Sequence, residues 1–276
     1  MIVRRFTLLL SAALLVGACG PAAPKPAATY ATIAEPAATR PSRGTYLLHL
    51  PGIAGPRWID QNLLEGLKLG GVSAEFDCYD WTCGEPGIPA LQAYERNRAE
   101  AKKIAERIAS RYRADPSSPI ELTSHSGGAG LLVWALESLP DDVMVDSVLM
   151  LAPALSPGYD LTKALRHVRK QVYVFISAND GIVLGSGTKM FGTIDRVHTD
   201  AAGRVGFTRP DGADAAQYAK LVTRPYDAAW NDKYHHNGDH IGVMSKRFAA
   251  GLLAPLLKTA GVAAAINTEA NAPAQR

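Results

Sequence analysis

Short, nearly unbroken apolar runs alternate along this chain with segments of helical periodicity, and that alternation restricts the fold more than any other feature. Strands covered on both faces of a parallel sheet read as continuous apolar runs. Gly44-Thr45-Tyr46-Leu47-Leu48-His49-Leu50 is such a run and stops at Pro51-Gly52. Val145 to Leu151 and Val172 to Ile176 are others, and Val72 to Phe76 and Ile120 to Thr123 also read as strands. Between them, 57–69 carries Trp58, Leu63, Leu64 and Leu67 at helical spacing before Gly70-Gly71. Residues 90–113 set Ala101, Ile104, Ala105 and Ile108 against Arg, Glu and Lys on the opposite side. Helical patterns also cover 129–138 and 161–168, and return near 214–222 and 241–258. Residues 181–212 are irregular and Gly-rich. The expected fold is α/β: a mostly parallel sheet with helices on both faces, in a single domain. Sheets of this kind bind ligands beyond the carboxyl ends of their strands.

At 276 residues and 47% hydrophobic content, the chain has enough apolar surface for a large core. Its 29 Lys and Arg nearly balance 26 Asp and Glu, with no basic block interleaved with aromatics, so no nucleic-acid partner is expected. Arg4 and Arg5 precede an apolar run from Phe6 to about Val16, which is short for a membrane span and reads as the h-region of a signal peptide. Val16-Gly17-Ala18-Cys19-Gly20 resembles a bacterial lipobox. The resemblance implies cleavage after residue 18 and lipidation of Cys19. The membrane partner is then the lipid anchor, and the location is the bacterial cell envelope. Gly20 rather than Asp favours the outer membrane, facing the periplasm.

Residues 19–43 are rich in Pro, Ala and Thr and lack hydrophobic periodicity, as expected of a tether. The globular part is expected over 44–260, with 261–276 a flexible tail. Cys78 and Cys83 would lie in an oxidising compartment. A short-loop disulfide is the expectation there, with two buried thiols as the alternative. No second Cys or His pair stands at zinc-ligand spacing.

The chemistry centres on Ser124-His125-Ser126-Gly127-Gly128, between the run 120–123 and an apolar helix. A tight strand-to-helix turn needs small residues two before and two after its central serine. Ser124 and Gly128 meet that need. Such a turn strains the central residue and exposes its Oγ at a helix N-terminus, whose dipole favours negative charge.

This segment resembles the nucleophile elbow of the α/β-hydrolase superfamily, usually Gly-His-Ser-x-Gly, and the resemblance extends over about 44–258. It implies that Ser126 is the nucleophile. It assigns the two oxyanion N–H groups to Gly127 and to Ile53, in the loop after the first strand, although Pro51 stands where the family often has His. The family order of Ser, acid, His points to Asp180 after the run 172–176, with Asp195 as fallback, and to His240 in Gly238-Asp239-His240-Ile241-Gly242. His167, His198, His235 and His236 are weaker candidates for the base, and His125 is too constrained by the elbow. His235, His236, Asp239 and His240 could be read as metal ligands, but the turn Asn237-Gly238-Asp239 spoils the spacing, so no metal is expected.

The resemblance implies a serine hydrolase acting on a small-molecule acyl substrate, with no cofactor and with 181–237 supplying a lid or pocket wall. The alternative is a non-catalytic envelope lipoprotein that uses the same scaffold for binding.

Overall fold

The computed structural model describes residues 44–258. The expected leader, lipidation site Cys19, tether and C-terminal tail lie outside the described residues.

Six strands form one sheet in the order β2-β1-β3-β4-β5-β6, and every pair is parallel. In chain order the elements are β1 (Thr45–Leu50), α1 (Trp58–Leu69), β2 (Ala74–Cys78), α2 (Ile88–Gln92), α3 (Tyr94–Ala114), β3 (Ile120–His125), α4 (Gly128–Glu137), β4 (Ser147–Leu151), α5 (Thr162–Arg166), β5 (Val172–Ile176) and β6 (Leu221–Pro225). Short helical turns fill the chain between β5 and β6, and a helical segment over 246–258 ends the described part.

The pleat sends alternate residues to opposite faces. Tyr46, Leu48 and Leu50 of β1 join Ile120, Leu122, Val148, Met150, Val172 and Val174 in a core beneath α3, α4 and α5. Leu47, Leu149, Leu151 and Phe175 face the other way, onto Leu63 and Leu67 of α1 and Phe248 and Leu253 of the last helix. Both faces are therefore covered, which is why β4 and β5 read as nearly continuous apolar runs. The α/β architecture read from the sequence is the one found.

The readings at 214–222 and at the two cysteines need correction. The pattern at 214–222 is only a short helix, Ala215–Tyr218, and the chain then enters β6. This strand is half-exposed at an edge and ends on Pro225, so it has no apolar face to signal it. Cys78 and Cys83 are free thiols, not a disulfide. Asp77 turns toward Tyr46 and Arg107 of α3, so the neighbouring Cys78 turns to the opposite face, near Asp60 of α1. Cys83 lies on the α3 side, near Glu100. Burial, reinforced by nearby carboxylates, pushes the Cys78 thiol up to about 12.

The strand order creates a switch point. From β1 the chain moves outward to β2, then crosses back to β3 on the other side of β1. The loops after β1 and β3 thus diverge from adjacent strands and leave a crevice at their carboxyl ends.

Candidate active site

β3 delivers His125 to that crevice, and Ser126 follows with φ +52°, a left-handed conformation rare for a residue with a side chain. The surrounding backbone holds it there. Ser126 N–H donates to the Leu151 carbonyl at 3.0 Å, and the Ser126 carbonyl accepts from Ala129 N and Ala154 N at 3.1 and 3.0 Å. Gly128 lies so close to β1 that a Cβ would collide with the Leu50 and Pro51 carbonyl oxygens. Glycine at 128 is therefore a steric demand of the elbow.

The loop after β1 folds against this turn. Gly52 packs on the His125 ring and on Ser126 Cβ, and the Ile53 side chain meets Gly127. Trp81 Nε1 donates to the Pro51 carbonyl at 2.8 Å. Neither Gly127 N–H nor Ile53 N–H donates to an acceptor among the described residues. Both sequence-assigned donors are thus left unclaimed by the described residues, and the Ile53 side chain lies against Gly127.

A buried His–Asp pair underlies the same loop. His49 Nε2 meets Asp60 Oδ1 at 2.8 Å, and His49 Nδ1 meets Thr123 Oγ1 at 2.8 Å. Asp60 Oδ2 also accepts from Arg57 N–H at 2.7 Å. One carboxylate therefore ties both ends of the Ile53 loop and fixes them to β3. No sequence pattern signalled this, because His49 and Asp60 meet only when α1 packs on β1.

The acid and base candidates come from loops 60 residues apart. Asp180 is buried, accepts Leu184 N–H on Oδ1 and receives His240 Nδ1–H on Oδ2 at 2.6 Å. A carboxylate accepts only, so neutral His240 carries its proton on Nδ1 and leaves Nε2 bare. Gly238, with φ +85°, presses the base loop onto Ser177 and Asn179 beside Asp180. Asp239 Oδ1 accepts from Ile241 N and Gly242 N and rounds off the turn. Ser126 Oγ hydrogen-bonds no described residue, His240 included. The elbow meets the base loop instead through His125, whose Nε2 lies 3.0 Å from the His240 carbonyl oxygen.

The other sequence candidates lie elsewhere. Asp195, the fallback acid, is bound to Ser156 and Thr193. His167 bonds the Val143 carbonyl, and His198 the Lys189 carbonyl. His235 meets Arg247, while His236 stacks on Trp230 and its Nδ1 accepts Gly238 N–H. Burial pushes His236 down to about 4, which suits a neutral acceptor that shapes the base loop. A cavity of about 420 Å³ opens beside this loop, with Trp58, Asn62, Asp239 and Ile241 among its walls.

No protein-family model matches the chain, and no curated protein sequence matches it. Among solved structures it is similar to Aspergillus fumigatus lipase B, with 14% identity and a TM-score of 0.47. That alignment covers 79% of this chain and 53% of the lipase, so the chain spans about half of that protein's length. It is also similar to a predicted CIB-like hydrolase from Thermoplasma acidophilum, with 14% identity, TM-score 0.44 and coverage of 80% and 89% of the two chains. A cutinase-like protein from Cryptococcus sp. aligns at 13% identity and TM-score 0.43, over 78% of this chain and 94% of that one.

Proposed function

We propose that the chain is a serine hydrolase that cleaves a carboxylic ester or a related acyl bond. The observation that carries this reading is the 2.6 Å His240–Asp180 pair beside an elbow whose serine has φ +52°. Ser126 Oγ attacks the carbonyl carbon of the substrate while His240 Nε2 takes the hydroxyl proton. Asp180 holds the imidazole in the Nδ1–H tautomer and stabilises its cationic form. The Gly127 and Ile53 N–H groups receive the oxyanion. The leaving group takes the proton from His240, and water, deprotonated in turn by His240, releases the acyl group from Ser126. That Ser126 Oγ makes no hydrogen bond to His240 is compatible with this reading, since catalytic hydrogen bonds of free enzymes often tighten only once substrate binds.

Substitution Ser126→Ala tests this. Turnover of a short p-nitrophenyl ester should fall by at least about 10⁴-fold, and labelling by a fluorophosphonate should vanish. Unchanged turnover in the variant sinks the assignment. An intact protein that never labels favours a binding lipoprotein on the same scaffold.

The lipobox resemblance supports anchoring through lipid on Cys19, which would hold the enzyme in the bacterial envelope, at the outer membrane facing the periplasm. Cys19→Ala should move the protein from the detergent phase to the aqueous phase. Unaltered partitioning would contradict the anchor.

A further inference from the structure

His125 is buried, only 3% exposed, and lies between two loops of the site. On one side its ring packs against Gly52 of the loop that carries Ile53, where a Cβ would lie 3.2 Å from His125 Nδ1. On the other, its Nε2 is 3.0 Å from the His240 carbonyl oxygen, and the two imidazole centroids are 4.7 Å apart. A carbonyl oxygen can only accept, so the proton of neutral His125 is on Nε2. Nδ1 is then a bare lone pair, and it is buried without a partner among the described residues. Unpaired buried polar atoms are rare in proteins. A leucine or phenylalanine would fill the same space and leave none. The imidazole therefore has a purpose beyond packing, and the only side-chain hydrogen bond it makes among the described residues is to the backbone of His240.

We propose that His125 is a positioning residue for His240: it donates Nε2–H to the His240 carbonyl and, wedged against Gly52, sets the base loop's distance from the elbow. The proposal rests on His240 as the base. The role requires a neutral ring, because a cation 4.7 Å from His240 would oppose the imidazolium formed in each turnover. The groups that act on His125 are His240, Asp60 and His49. Burial, followed by His240, holds its pKa far below the ordinary histidine range, so it stays neutral at physiological pH.

The test compares His125→Gln, which places an N–H near the former Nε2, with His125→Leu and the shorter His125→Asn, which do not. The mature chain is used throughout. With a short p-nitrophenyl ester, Leu and Asn should lower kcat about 100-fold through misplacement of the base, with little change in KM. Gln should recover most of that loss. The downfield proton resonance of His240 Nδ1–H should persist in Gln and broaden in Leu and Asn, and this readout needs no turnover. Wild-type kcat in Leu or Asn, or equal losses in all three variants, overturns the proposal. Should the wild type fail to turn over or label, the hydrolase reading falls, while the resonance still reports whether His125 holds His240.

Discussion

Ser124 is fully buried near the end of β3, and its Oγ has no hydrogen-bond partner among the described residues. It stands where the elbow that the sequence resembles has glycine, and the space there accepts its Cβ but gives nothing to its hydroxyl. A buried, unsatisfied hydroxyl costs about 1–3 kcal/mol. Ser124→Ala keeps the Cβ and removes the orphan oxygen. The variant should be more stable by about 1 kcal/mol, read as a higher urea midpoint, with hydrolysis of a short ester within twofold of wild type. A lower midpoint would mean that the hydroxyl is bonded in solution. The sequence marked Ser124 as a small residue of the turn, but not as a buried hydroxyl without a partner. The orphan exists because Ser124 is in phase along β3 with Ile120 and Leu122, whose face is packed with apolar side chains.

At the scale of elements, α1 depends on a close approach to the last helix. A Cβ on Gly66 would collide with the Lys246 carbonyl oxygen and the Ala249 methyl. In an exposed helix interior, replacing glycine by alanine gains about 1 kcal/mol. Here the sign reverses. Gly66→Ala should lose about 1–3 kcal/mol by overpacking, seen as a melting temperature lower by several degrees. A rise in melting temperature would show that the two helices separate at little cost. Sequence periodicity located α1 and α3, because each buries one apolar face. It missed β6, whose residues are half-exposed and whose strand character comes from pairing with β5. It also began the last helix too early: residues 242–244 form a separate turn, and Ser245, whose Oγ accepts Phe248 N–H, starts the helix proper.

Across the whole molecule, the sheet carries the candidate site at the carboxyl ends of its strands and buried carboxylates near the opposite ends. Glu121 is 3% exposed, at the start of β3, and accepts Ser147 N–H. Burial, followed by the Asp146 charge, raises it to about 8. The folded state therefore holds this proton after the unfolded chain has released it. Between pH ~4.5 and about 8 the native state binds more protons, so the Glu121 contribution to stability falls as pH rises through that window. Glu121→Gln keeps an acceptor for Ser147 and removes the titration. It should be more stable than wild type at pH 9, by an amount on the order of a few kcal/mol, and nearly equal to it at pH 4. Parallel pH–stability curves for the two proteins would refute this.

The order of apolar runs and amphipathic segments by itself determined an α/β sheet covered on both faces, because burial on both sides of a strand leaves a local imprint in sequence. The small residues of Ser124 to Gly128 likewise determined a tight turn between strand and helix, since bulk and Cβ contacts there are local constraints. Tertiary structure alone decided which loops meet. It brought His240 to Asp180 across 60 residues, tied the Ile53 loop to β3 through His49 and Asp60, and set Cys78 and Cys83 on opposite faces. It also turned His125 from a constrained neighbour of Ser126 into the group that touches the base loop. The physical reason is that a hydrogen bond between distant loops leaves no periodicity in either of them. It exists only after strand order and helix packing have fixed where the loops end.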